Sequence, residues 1–181
     1  MDFVRNLTKD EAGLIEKIAP FVLVDFVARD QDATLESAGV SFSMLLELQD
    51  LGMLSGVEAL GLSLTFPSAS KDRFVKAFLC HGRGLLVEHD DTKKPLSLGA
   101  YVVTTLGRQV IKLGKFIPNE SYLLAIGGAI QKSGFKVSLI DYSDAGNGMI
   151  RYSNAQEIPN AQQDETQQPP LAAVSASSPV T

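Results

Sequence analysis

YVVTTLGRQVIKL, residues 101–113, opens as a strand and closes as a helix. The apolar run Tyr101–Val103 meets Thr104 and Thr105, passes a Leu-Gly-Arg turn, and continues through Val110, Ile111 and Leu113 at helical spacing. A threonine oxygen at a helix N-cap satisfies one of the backbone N–H groups that the first turn leaves free. The stretch therefore predicts a strand fed directly into a helix, with Gly114 ending the element.

Working back from it, Asp90 to Pro95 reads as a polar turn into the run Leu96–Val103. Before that, "FVKAFLC" and "GLLVEHD" read as two strands around His81-Gly-Arg-Gly84. Residues 55–70 are rich in Gly and Ser, with a short apolar piece, Leu60–Phe66, closed by Pro67. Residues 39–54 give the clearest helix. Ser41 or Ser43 can cap it, Leu45, Leu48 and Leu51 form one face, and Gly52 supplies a left-handed stop. Nearer the start, Thr8-Lys-Asp-Glu11 is a capping-box pattern ahead of Leu14, Ile15, Ile18 and Ala19. Pro20 ends or kinks that helix. Phe21–Val27 continues as a buried run, and Asp30 to Asp32 reads as a polar connection.

Downstream, Pro118-Asn119-Glu120 opens a helix over 120–132 with Gly134 as its stop, and "FKVSLIDY" follows as a last strand. Gly127-Gly128 inside that helix reads as a close-packing site. From Ser143 the composition turns to Gly, Asn, Gln, Pro, Ala and Ser. Too little of it is apolar to offset the entropy of ordering, so disorder is expected from about Asp144.

Helix, glycine stop, β-hairpin, then a strand leading into a helix resembles the order of a winged-helix unit. The segments Leu45–Leu54 and Val103–Val110 resemble its "LGL" helix end and "LTxxGxxL" helix start, and Gly107 would permit close approach to the wing strand. The combination also resembles the C-terminal region of an uncharacterised bacterial family. Leu7–Ala12, Gly39–Met53 and Val103–Val110 carry that resemblance in order, over roughly residues 5–142. It implies a fold and no agreed activity. The expected fold class is α+β: winged-helix-like helices with a β-hairpin wing, an additional C-terminal helix and strand, and a disordered tail. The expected division is 1–143 for the domain and 144–181 for the polar, Pro-rich tail.

Of the 181 residues, 45% are hydrophobic and 20% charged, an ordinary globular composition. The lone cysteine, Cys80, allows no intrachain disulfide, the N-terminus has no signal-type apolar region, and no window approaches a membrane span. A cytoplasmic location without membrane contact is expected. The formal charge of −5 is unevenly spread. Residues 1–62 hold eleven acids against four bases, residues 63–140 eleven bases against five acids, and residues 141–181 five acids against one base. That polarity can steer a partner or simply neutralise itself across the fold.

A winged-helix unit commonly reads DNA with the helix before the wing. Here that helix offers Ser41, Ser43, Glu47, Gln49 and Asp50 and no Lys or Arg, which argues against major-groove reading. Arg83, Lys93, Lys94, Arg108 and Lys112 are the candidate contacts to nucleic acid or an acidic partner, through the wing and the helix after it. The alternative is a solvated basic edge that discourages sheet aggregation.

No catalytic, cofactor or metal constellation emerges. Cys80 and His81, as adjacent strand residues, point to opposite faces. With Gly82-Arg83 as the turn, His89 falls opposite Lys76, and the two histidines stand too far apart to share an ion. His81-Gly-Arg-Gly84 lacks the pattern of a phosphate loop. The expected function is a non-enzymatic protein-interaction or regulatory accessory module of a bacterial system. The alternative is a transcriptional regulator touching the nucleic-acid backbone through its wing. Oligomeric state is not legible.

Overall fold

The computed structural model describes residues 5–59, 62–146 and 149–159. Helix α1, Lys9–Ile18, starts at the expected box: Thr8 Oγ1 accepts from the Glu11 N–H at 3.2 Å, and the Glu11 carboxylate accepts from the Thr8 N–H at 2.7 Å. The hydrogen bonds from the Thr8 backbone and hydroxyl hold the Glu11 carboxyl below its ordinary range. Pro20 then tightens the chain into a 3-10 turn, Ala19–Phe21. Strand β1, Phe26–Ala28, a second 3-10 turn, and helices α2, Asp32–Ser37, and α3, Phe42–Asp50, follow. Ser41 caps α3 by accepting from the Met44 N–H at 3.3 Å.

Beyond α3 come β2, Leu54–Ser55, β3, Ser63–Phe66, β4, Phe74–Cys80, β5, Arg83–His89, and β6, Leu96–Val103. Helices α4, Thr105–Ile111, and α5, Glu120–Lys132, precede β7, Lys136–Gly146, and β8, Met149–Glu157. The strands form two antiparallel sheets. In the first, β6 lies between β1 and β2 and pairs with β3 through its leading half. The second has the order β4-β5-β7-β8. Among the described residues no helix is long and apolar enough to cross a membrane.

The strand and the threonine cap of the opening stretch form as its residues predict, but the helix ends at Ile111 with Lys112 as its C-cap, and Gly114 lies beyond it without a positive φ. Thr104 Oγ1 accepts from the Gly107 N–H at 3.0 Å and donates to the Gly52 carbonyl at 2.5 Å. The Thr104 N–H reaches the Met53 carbonyl at 3.0 Å, so one threonine both starts α4 and fastens it to the chain leaving α3. Gly107 does sit at a close approach, but against Met53 rather than the expected hairpin: a Cβ there would collide with the Met53 carbonyl oxygen.

Several further expectations need correction. The β4–β5 hairpin forms but is not beside β6; it belongs to the second sheet, where β5 pairs with β7. Its turn is His81-Gly82, both at positive φ, 46° and 89°, as a two-residue hairpin of primed type requires. That places Phe74 opposite His89 and Lys76 opposite Val87. The Asp30–Asp32 connection leads into a helix, α2, instead of remaining a loop.

The largest correction concerns the tail. Residues 144–159 are not structureless: β7 runs through Gly146 and β8 pairs with it from Met149 to Glu157. Ile158 behind β8 is buried, donates its N–H to the Val137 carbonyl at 3.1 Å, and packs beside Gly127. A polar strand exposed along nearly its whole length forms because its backbone pairs and one anchor behind it is buried, without an apolar face of its own. The remaining tail expectation, from residue 160 onward, lies outside the described residues.

One continuous core joins the sheets. Tyr122, Leu123, Ile126, Gly127 and Ile130 are the buried stripe of α5. Gly127 faces Ile158, Val137 and Leu85, whereas Gly128 faces nothing within 4 Å, so only the first glycine serves packing.

Candidate interaction surface

Two polar side chains that invite a catalytic reading instead fasten the second sheet to the Ala19–Phe21 turn. Cys80 Sγ donates to the Pro20 carbonyl at 3.4 Å, and His81 Nε2 donates to the Ala19 carbonyl at 2.8 Å. His81 is a turn residue rather than a strand residue, which is why the pair reaches neighbouring carbonyls of one 3-10 turn. Burial pushes the Cys80 thiol up to about 12, leaving it protonated and unreactive near neutrality. Tyr122 seals the same junction: its hydroxyl oxygen accepts from the Ala28 N–H at 2.6 Å, and burial raises its phenol well above the ordinary value.

The candidate cations are dispersed. Arg83 begins β5 and is paired on both sides, with Glu120 at 3.2 Å and Asp141 at 3.2 Å. Lys93 and Lys94 lie beyond the far end of the same strand, about 20 Å along a run of seven residues. Lys93 is exposed, while the Lys94 ammonium rests over the Phe135 ring, 5.1 Å from its centroid. Arg108 folds back on the start of its own helix, donating to the Thr105 hydroxyl at 3.1 Å and the Val103 carbonyl at 3.4 Å. Lys112 is exposed at the end of α4. The fold brings Arg108 and Lys112 onto one short helix and Lys93 and Lys94 into one loop, and does not join these with Arg83.

The outward face of α3 carries Phe42, Ser43, Glu47 and Asp50. Gln49 is committed to structure, accepting from the Val57 N–H at 2.8 Å. His81 and His89 sit at opposite ends of the β4–β5 hairpin, and among the described residues no group of three His, Cys, Asp or Glu converges.

A different surface emerges at the edge of β4. In a hairpin closed by two residues, those flanking the turn exchange both hydrogen bonds, and alternate residues then point their backbone groups away. Cys80, Phe78, Lys76 and Phe74 therefore bond to β5, while Leu79, Ala77 and Val75 present N–H and C=O to the outer edge. At Val75 that edge is sealed: its N–H donates to Ser68 Oγ at 3.0 Å and its carbonyl accepts from the Ala69 N–H at 2.8 Å. At Cys80 and His81 it is clamped to Ala19 and Pro20. Between these closures, the outward groups of Ala77 and Leu79 have no partner among the described residues.

Beside this window lies a groove of about 230 Å³, bounded across from β4 by Leu23–Phe26. Phe26, Phe66 and Phe78 form its floor, with ring centroids 4.8–5.5 Å apart in tilted and edge-on contacts. Lys76 stands at the rim, its ammonium 5.6 Å from the Phe66 centroid and without an ion pair among the described residues. The far wall is a strained turn. Val24, 54% exposed, takes φ 61°, with the Asp25 N–H donating to the Leu23 carbonyl at 2.7 Å. A β-branched residue in that region costs about 1–2 kcal/mol. The expected unbroken buried run over 21–27 is thus interrupted by an exposed turn, and Asp25 inside an apolar run was its one visible signal.

Two other hollows offer less. One of about 50 Å³ lies among Asp32, Leu35, Val40, Phe42 and Tyr101, and one of about 350 Å³ is ringed by Arg73, Glu88, His89, Asp90 and Lys136, charges of both signs with Arg73 and Glu88 already paired at 3.1 Å. No family model matches the chain, nor does any curated protein or solved structure.

Proposed function

We propose that the chain is a non-enzymatic protein-interaction module, a regulatory or accessory part of a larger bacterial system working in the cytoplasm. The observation that carries this reading is the unpaired edge of β4 beside an aromatic groove, a surface suited to another polypeptide and lacking a nucleophile paired with a base. A winged-helix-like unit accommodates the rest. Helix α1, strand β1, helices α2 and α3 and strand β2 follow in that order, with β6 between β1 and β2. The β3–β6 pair then takes the place of the wing, and the second sheet is an addition to the unit.

Acidic residues on the face of α3 and the internal pairing of Arg83 favour a protein over a nucleic-acid partner. The one observation for the nucleic-acid reading is the excess of bases between residues 63 and 140. Electrophoretic mobility of duplex and single-stranded DNA with the full chain, at about 50 and 200 mM salt, separates the two. No shift is expected. A salt-sensitive shift abolished by changing Arg83, Lys93 and Lys94 to Glu would sink the protein-interaction reading.

A further inference from the structure

The edge of β4 also specifies what can lie on it. Strand addition uses the outward N–H and C=O groups of Ala77 and Leu79, four hydrogen bonds in a window closed at both ends. Side chains on paired antiparallel residues share a face. The incoming residue opposite Phe78 therefore points onto the floor of Phe26, Phe66 and Phe78, and the residue two places later stands opposite Lys76. The first of these positions is apolar. The second meets an ammonium that has no carboxylate partner among the described residues.

Resting on the interaction reading above, we infer that the β4 groove binds an extended segment of another protein bearing an apolar side chain two residues before an Asp or Glu. A second copy of this chain does not fit as occupant. Antiparallel pairing of two β4 edges about Phe78 would set Val75, with its Ser68–Ala69 strap, against the clamped His81 turn of the other copy. Nor do the chain's own acids after residue 159 carry the pattern, since Gln162 and Gln163 stand two places before Asp164 and Glu165.

The test uses the full 181-residue chain and a fluorescein-labelled peptide, STLTETS, followed by anisotropy. The expected dissociation constant is about 10–100 µM. Replacing the Leu by Gly, or the Glu by Lys, weakens binding about tenfold or more. Lys76→Glu inverts the charge preference, so that STLTKTS becomes the better ligand. Ala77→Pro removes one outward N–H without touching the β5 ladder and abolishes binding to both peptides. Anisotropy unchanged up to 1 mM peptide, about 4 kcal/mol of affinity at most, overturns the inference. So does binding that ignores Lys76→Glu. Concentration-dependent dimerisation blocked by Ala77→Pro would assign the edge to a second copy, and peptide binding seen only after deleting residues 160–181 would assign it to the chain itself; either result overturns it too. Blank peptide titrations with blank DNA mobility remove this motif alone, whereas a salt-sensitive DNA shift abolished by changing Arg83, Lys93 and Lys94 to Glu removes the reading beneath it.

Discussion

Replacing Gly107 by Ala and Gly13 by Ala should move stability in opposite directions. Both glycines are helical, Gly13 in α1 and Gly107 in α4. In an open helix position Gly→Ala gains about 0.5–1 kcal/mol, because alanine loses less backbone entropy on folding. A Cβ at Gly13 meets nothing within 4 Å, so Gly13→Ala takes that gain in full. At Gly107 the same methyl collides with the Met53 carbonyl oxygen and lies 2.9 Å from Val103 Cγ1. Neither is a flexible side-chain tip: one is backbone, and the other belongs to a fully buried valine. Overpacking of this kind costs about 1–3 kcal/mol. It also drives α4 from the Gly52–Met53 segment that Thr104 fastens. The net expectation for Gly107→Ala is a loss of about 1–2 kcal/mol, read as a fall in Tm of about 2–8 °C for a chain of this size. Urea titration followed by circular dichroism measures both variants. If Gly107→Ala is as stabilising as Gly13→Ala, α4 does not approach Met53 closely, and its attachment to the chain leaving α3 is wrong.

Tyr122→Phe strips the Ala28 N–H of its buried acceptor and should cost about 1–3 kcal/mol in the same titration, with little change in the folded circular dichroism spectrum. Cys80 ionises near 9 when unfolded and at about 12 when folded, and Tyr122 shifts in the same direction. Both are therefore neutral in either state below pH 9, so their effect appears only above it. Stability should fall as pH rises from 9 towards 12, and Cys80→Ala should flatten that slope in pH-dependent melting. Removing residues 144–181 takes away β8 and the buried Ile158, so the melting temperature should drop by several degrees, with loss of the anchor alone worth about 2–4 kcal/mol.

Local chemistry was legible wherever the deciding groups are close in sequence. Thr8 with Glu11, Ser41 with Met44, Asn119 with Tyr122 and Thr104 with Gly107 are caps written in a few letters, and each forms. What could not be read was pairing at a distance. Nothing local distinguishes a hairpin beside β6 from one beside β7. Competition between those partners is settled by α5, whose stripe covers Val137 and Leu85 of the second sheet. The turn register hid for a related reason: Gly82-Arg83 looks the better turn, but His81 accepts the left-handed conformation while its ring is fixed by Ala19 and Phe116. β8 was hidden because an edge strand exposed on most of its length has no apolar alternation to show. The groove at β4 was invisible because its floor gathers Phe26, Phe66 and Phe78 from three strands far apart in the chain, and an unpaired edge is a property of topology alone.

Hydrogen exchange of the β4 amides in the intact chain tests the open edge most directly. The N–H groups of Lys76 and Phe78 point to β5 and that of Val75 to Ser68, so all three should be protected. Those of Ala77 and Leu79 should exchange faster by orders of magnitude, giving an alternation of slow and fast along one strand. Ala77 and Leu79 as slow as Phe78 would mean the edge is already occupied, and the surface on which the proposed function rests would not exist.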